Sequence, residues 1–295
     1  MPGTVPVPPP IDGVRRSYVD ARGVRFHVTE AGDPDGLPIL CLHGWPQHHL
    51  GYRDLLADPP AGLRIIAPDL PGYGWSGPAR HRWEKEEVAQ DLLALLDALG
   101  LERVGLVGHD WGGYIGHLLV LGAPQRFTAY LALNIAHPWN TPRTLAPHLW
   151  RFLLYQPVMA AFGRPLQQRT GFLHLLFRIA VKNREAFGPA DAAVFVDRFR
   201  DPVCARTGQA TYRTFLLHEL PRLGREPEQR RSTVPTVTLF GDRDTAIDAS
   251  LAAAETAQAD DYRLKLVPGA GHFIADERPD LVRAEVLALF APGAP

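Results

Sequence analysis

The stretch Val104–Gly116, VGLVGHDWGGYIG, decides how the rest of this chain is read. An apolar run, Val104 to Val107, gives way to Gly108-His109-Asp110-Trp111-Gly112, and the pattern beyond is helical. Small residues two positions before and two after a central one, between strand and helix, allow a turn sharp enough to lift that residue into the open. Serine is the usual occupant of such a turn; here it is Asp110. An Asp that merely caps a helix is common at a helix start. Capping alone, however, does not call for glycine on both sides. Asp110 is therefore read as a nucleophile.

The segments around this turn repeat a strand–helix rhythm. SYVDARGVRFHVTEAGD reads as two alternating strands joined at Gly23, and PILCLHG and RIIAPDLPG as short buried strands. EEVAQDLLALLDALG carries leucines at 92, 93, 95, 96 and 99, an amphipathic helix ended by Gly100. RVGLVG and FTAYLALNI are further strands. From Pro138 to about Ser232 the rhythm is lost, and Leu- and Phe-rich helical pieces appear, broken at Pro142, Pro147, Pro157, Pro165, Pro189 and Pro202. It resumes with VPTVTLFGDRD, a helix from about Ser250, the strand YRLKLVPG and a last helix from about Pro279. Alternating strands and helices build a mostly parallel sheet flanked by helices. The expected organisation is an α/β core in two parts, 1–137 and 233–295, interrupted by a helical lid at 138–232.

Bulk composition is that of a globular protein with a sizeable core: 295 residues, 46% hydrophobic, net charge −1. No basic run points to nucleic acid. The two cysteines, Cys41 and Cys204, lie far apart and imply no disulfide framework, which fits a reducing compartment. MPGTVPVPPPIDGVRR lacks the apolar stretch of a signal peptide, and no run is long enough to span a membrane. A cytoplasmic location with no membrane partner is the expectation.

A nucleophile needs a base and a group to orient it. GAGHFIADERPD places His272 after the last strand, and LFGDRD offers Asp242 and Asp244 after the preceding one. The order nucleophile, acid, histidine belongs to hydrolases built on such a sheet. Asp244 is favoured as the acid, with Asp242 read as a turn residue. An alternative acid position, after the strand ending near Asn134, holds no carboxylate in NIAHPW. His43, His109 and Asp69 are read as structural. The histidines include no HExxH pair, and the neighbours His48 and His49 are too close in sequence to be informative; neither a metal nor a cofactor is implied.

With these residues in place, the chain resembles the α/β-hydrolase superfamily over nearly its whole length, and most of all the soluble epoxide hydrolases and their haloalkane dehalogenase relatives. The motifs that carry the likeness are HGWP (His43–Pro46), PDLPGYGWS (Pro68–Ser76), GHDWGG (Gly108–Gly113), GDRD and GHF (Gly271–Phe273). The resemblance implies a cis Trp45–Pro46 bond and an oxyanion hole formed by the backbone N–H groups of Trp45 and Trp111. It also implies two lid tyrosines above the nucleophile, at the places filled by Tyr155 and Tyr212, the two tyrosines of the lid. Trp45, Trp111, Trp139 and Phe273 are the candidate substrate-binding side chains, with Phe152 and Phe215 as further apolar candidates.

The chemistry of a carboxylate narrows the substrate. It is a weak nucleophile towards esters but adequate for displacement at a strained or activated sp³ carbon, giving an alkyl ester that water then breaks. The expected reaction converts an epoxide to a vicinal diol. Asp110 attacks, Tyr155 and Tyr212 hold and protonate the oxygen, and His272 with Asp244 activates the water. A haloalkane or haloacid dehalogenase is the alternative, with Trp111 and Trp45 as candidate halide donors. A carboxylesterase is disfavoured because the turn holds no hydroxyl, and a non-catalytic binder because every expected group is present. The sole partner anticipated is the small-molecule substrate, and the chain is a monomer or a homodimer.

Overall fold

The computed structural model describes residues 7–225, 228–253 and 258–291. Eight strands form one sheet: β1 (Arg15–Ala21), β2 (Val24–Gly32), β3 (Leu37–Leu42), β4 (Leu63–Pro68), β5 (Val104–His109), β6 (Phe127–Leu133), β7 (Thr236–Gly241) and β8 (Tyr262–Val267). Their spatial order is β1-β2-β4-β3-β5-β6-β7-β8. β2 runs antiparallel to β1 and β4, and every other pair is parallel. β5, which delivers Asp110, is central.

Central strands are buried on both faces, as in parallel sheets covered by helices. Alternation along each strand sorts its side chains between two layers. Leu40, Leu42, Leu106 and Ala132 join Val88, Leu92 and Leu95 of α1 (Lys85–Ala98) and Ile115 and Leu119 of α2 (Asp110–Gly122). Ile39, Cys41, Val107 and Leu131 face the other way, against Val282, Val286 and Phe290 of the C-terminal helix Pro279–Phe290. Cys41 is a buried free thiol. β1, at the edge, alternates between exposed and half-buried residues instead.

Between β6 and β7 the chain builds a layer of helices: α3 (Leu149–Arg169), α4 (Phe172–Ala180), α5 (Pro189–Arg198) and α6 (Pro202–Thr214). α6 passes directly into a π-helical turn, Phe215–Glu219. Met159, Leu173, Phe177, Phe195 and Tyr212 from these helices join the same apolar cluster as the sheet, so lid and core share one interior.

Two expectations about helices need correction. α3 is continuous through Pro157 and Pro165, which do not break it. Both prolines are exposed, so the carbonyls they leave unbonded can turn to water. Pro142, Pro189 and Pro202 instead start helices, where the missing N–H has no intrahelical partner to lose. The helix expected from Ser250 is a single 3₁₀ turn, Ala249–Ala252, and residues 254–257 of that stretch lie outside the described residues.

Candidate active site

The sharp turn read from the sequence joins β5 to α2 without an intervening loop: His109 ends the strand and Asp110 starts the helix. Asp110 adopts a left-handed backbone with φ of 49°, a strained conformation for a residue with a side chain. The flanking glycines have a steric cause. A Cβ at Gly108 would stand 2.8 Å from the Gly112 carbonyl oxygen, and one at Gly112 would stand 2.4 Å from that of His43.

The carboxylate projects from this turn into a buried setting. The N–H of Trp45 donates to Asp110 Oδ2 at 2.8 Å, and the Trp111 N–H also serves the carboxylate. The Trp45–Pro46 peptide bond is cis. Burial pushes the Asp110 carboxyl up to about 6, against the opposing pull of His272 and the two N–H groups.

His272 stands with Nε2 3.8 Å from Asp110 Oδ1 and Nδ1 2.8 Å from Asp244 Oδ2. The nominated nucleophile, base and acid thus line up in that order. Burial favours a neutral imidazole, but the charges of Asp244 and Asp110 overcome it and raise His272 to about 9. Burial would raise Asp244 too. The His272 charge and hydrogen bond, with those from Asn134 and the Ile247 N–H, instead hold it below the usual carboxylate range. Asp242, the rejected alternative, is an exposed turn residue that accepts from the Gly269 N–H.

Residues that motif reading passed over hold this line in place. Asn134, at the end of β6, donates to Asp244 Oδ2 at 2.8 Å and to the Gly271 carbonyl at 3.1 Å. It occupies the position where a carboxylate was looked for and not found, and it steadies the acid that stands in its stead. Glu277, fully buried, accepts from the N–H groups of Gly271 and Phe273 on either side of His272, and from those of Lys182 and Asn183 after α4. The signal for Asn134 was its place at a strand end, and for Glu277 its spacing of five residues from His272. Neither residue type announces itself.

The lid completes the site. Tyr155 on α3 and Tyr212 on α6 approach edge to face with ring centroids 5.5 Å apart. Tyr155 stacks on Trp45 at 6.4 Å, and Tyr212 meets the rings of Trp45 and Trp111 at 5.0 and 5.7 Å. Both tyrosines line a cavity of about 510 Å³ with Trp45, Asp110, His272 and Phe273. Burial raises both phenols, so they stay protonated at neutral pH. A smaller apolar space beyond Tyr155 borders Asp110, Trp111, Phe152 and Phe215.

Trp139, nominated for substrate binding, sits elsewhere. Its indole N–H bonds the Arg230 carbonyl at 2.7 Å, and its ring packs with Leu121 and Ala259 in a satellite cluster. Its aromatic bulk is used for packing.

The two indoles near Asp110 differ in their polar partners. Trp45 Nε1 donates to Gln167 Oε1 at 2.8 Å, an arrangement open only because Gly208 lacks a Cβ there. Trp111 Nε1 forms no well-aligned hydrogen bond among the described residues and is turned toward Tyr212. Above the Trp111 ring, 4.5 Å from its centroid, lies the buried ammonium of Lys85. Lys85 Nζ forms an ion pair with Glu219 Oε2 and donates to the Thr211 carbonyl, each at 2.7 Å. Burial lowers its pKa, and Glu219 opposes that.

One group among the described residues has the spacing of a metal site: His27, His49 and Asp69. Both Asp69 oxygens are already engaged, Oδ2 with His27 Nδ1 and the Trp75 N–H, Oδ1 with His49 Nδ1 and N–H. Asp69 therefore ties the PDLPGYGWS loop together. His43 is likewise structural, its Nε2 accepting from the Leu70 N–H, and His109 bonds the His272 carbonyl.

Comparison with known proteins bears on the family and the fold. Residues 38–279 match the family model of the alpha/beta hydrolase fold. The chain is 26% identical over 280 residues to epoxide hydrolase 4 of Mus musculus, covering 90% of this chain and 76% of that protein. It is 30% identical over 283 residues to haloalkane dehalogenase 2 of Mycobacterium tuberculosis, covering 93% and 94%. Among solved structures, epoxide hydrolase A of Mycobacterium thermoresistibile superposes with a TM-score of 0.77 at 23% identity, covering 96% and 99%. That last likeness concerns the fold.

Proposed function

The chain belongs to the α/β-hydrolase fold family, in the group that includes epoxide hydrolases and haloalkane dehalogenases, and we propose that within it the protein hydrolyses an epoxide to a vicinal diol. The observation that carries this reading is the pair of protonated phenols, Tyr155 and Tyr212, in one cavity with Asp110. Opening an epoxide leaves an alkoxide that must be protonated, and a phenol supplies that proton where an indole N–H does not.

The contacts support the following steps. Asp110 Oδ2 rests against the Trp45 N–H, leaving Oδ1 to attack a ring carbon. The ring C–O bond breaks, one phenol gives its proton to the departing oxygen, and Asp110 carries an alkyl ester. Esterification removes the negative charge 3.8 Å from His272 Nε2. His272 then loses part of the field that kept it protonated, passes its proton through water to the phenolate and is left a neutral base. It takes a proton from water, which adds to the aspartyl carbonyl carbon. The N–H groups of Trp45 and Trp111 stabilise the resulting oxyanion; its collapse breaks the acyl–oxygen bond, the proton on His272 passes to the departing alkoxide to give the diol, and the proton left on Asp110 returns to His272. Asp244 holds the imidazole orientation and stabilises its charged form.

A dehalogenase is the second reading, favoured by the Trp111 indole N–H, which makes no well-aligned hydrogen bond among the described residues, and by the 30% identical relative. Halide departure is helped by two donors, and the Trp45 indole is committed to Gln167. Parallel assays of styrene oxide-type epoxides and 1-haloalkanes separate the readings. Diol without halide release is expected, with epoxide opening slowed roughly 100-fold or more by Tyr155→Phe together with Tyr212→Phe. Halide release that outpaces diol formation would reverse the ranking.

A further inference from the structure

We propose that the lid face around the cavity mouth docks on an anionic lipid bilayer. The helices there present side chains that a soluble surface rarely groups. Trp150 and Leu154 on α3 and Leu175 and Ile179 on α4 are 44–69% exposed, and all four line the cavity that holds Asp110. Val158 and Phe162 extend the stripe along α3, Phe162 being 63% exposed. Positions 150, 154, 158 and 162 recur every four residues, so they share one side of the helix. An exposed apolar band of this extent marks an interaction surface.

The charge carried by this segment has a single sign. Residues 138–184 contain no Asp or Glu, in a chain whose net charge is −1. Over the same stretch stand Arg143, Arg164, Arg169, Arg178, Lys182 and Arg184, none in an ion pair among the described residues. At 100° per residue, Arg169 falls beside Phe162 on the apolar stripe of α3, exposed Arg164 lies at the opposite rim of the same side, and Arg178 falls beside Leu175 and Ile179 on α4. Apolar side chains flanked by basic ones, without acids, match the boundary between headgroups and acyl chains of an anionic leaflet.

A second copy of the chain is the competing occupant. A two-fold contact would set this face against itself, bringing like charges together with no acid in the stretch to pair them. The bilayer is favoured for that reason. The expectation of no membrane partner rested on the lack of a spanning run, and a surface that lies on lipid needs none. In this pose the mouth opens onto the acyl region, so an apolar substrate dissolved in lipid enters the cavity without crossing water. Docking stands whatever bond the site breaks.

Cosedimentation of the full chain with vesicles of phosphatidylcholine alone, or mixed with phosphatidylglycerol, tests it. Binding to the anionic vesicles alone is expected, falling as salt rises. It should weaken by more than about tenfold in Arg164→Glu/Arg169→Glu/Arg178→Glu, and separately in Val158→Ser/Phe162→Ser, with each fold checked by circular dichroism. All five positions are exposed, so the changes leave the core untouched. Absence of binding, equal binding to neutral vesicles, or unchanged binding by both variants overturns the proposal. So does analytical ultracentrifugation showing a dimer that the Val158→Ser/Phe162→Ser change dissociates.

Discussion

At the scale of single residues, Asp110 and His272 stand 3.8 Å apart, and in the reaction proposed the ionisation of Asp110 governs the first chemical step. Attack requires an ionised Asp110, and its carboxyl is raised to about 6 by burial. A group with a raised carboxylate pKa gains its reactive form only as pH climbs through that value. The rate of ester formation in a single turnover should therefore rise with pH through about 6 and flatten above it; stopped-flow measurement of Trp45 and Trp111 fluorescence would record it. A rate already flat from pH 4 upward would mean that burial does not govern the nucleophile. The second step isolates His272. In His272→Gln, attack proceeds but the ester persists, so mass spectrometry after incubation with an epoxide should find a peptide spanning Asp110 heavier by the substrate mass. Asp110, Asp244 and His272 were legible in the sequence because each follows a strand in a short motif. Asn134 and Glu277 were not, because a buried amide or carboxylate that orders a neighbouring loop has no pattern of its own. Trp139 shows the converse: an aromatic in the lid segment looks like a pocket wall until its packing partners are known.

At the scale of elements, the lid is held to the core where it delivers Tyr212. Lys85 opens α1, yet its ammonium bonds the carbonyl of Thr211, the residue before Tyr212, and Glu219 in the π-helical turn that follows. The Tyr73 hydroxyl adds a 2.7 Å bond to Thr211 Oγ1. Removing one member of a buried pair leaves the other charge uncompensated, at a cost of about 3–5 kcal/mol. Lys85→Met should lower stability by that order in urea unfolding, and Lys85→Met/Glu219→Gln by less, because no lone charge remains. Equal losses in the two variants would show that the pair is not coupled. Sequence periodicity found α1 from Glu86 onward and assigned nothing to Lys85; it lacks the tertiary information that buries the head. The same lack explains α3. Proline was read as a breaker on local grounds, whereas an exposed helix face accommodates it.

At the scale of the whole molecule, neither part suffices for the reaction proposed. The two segments of the core bring Asp110, Asp244 and His272 to the carboxyl ends of β5, β7 and β8, where open parallel sheets place their sites. The lid brings the phenols. The sheet could be read in advance because parallel strands leave apolar runs bounded by glycine and proline. The pocket could not, because the packing of α3 on α6 decides it and helical periodicity alone does not place those contacts. The proposal that unites core and lid is a covalent ester on Asp110, and a single turnover of excess enzyme with an epoxide in oxygen-18 water tests it most directly. The diol from that first turnover should carry only unlabelled oxygen, one atom from the epoxide and one from Asp110, while the Asp110 carboxylate acquires the label. A first-turnover diol carrying oxygen-18, with Asp110 unlabelled, would mean that water attacks the epoxide directly and that Asp110 is not the nucleophile.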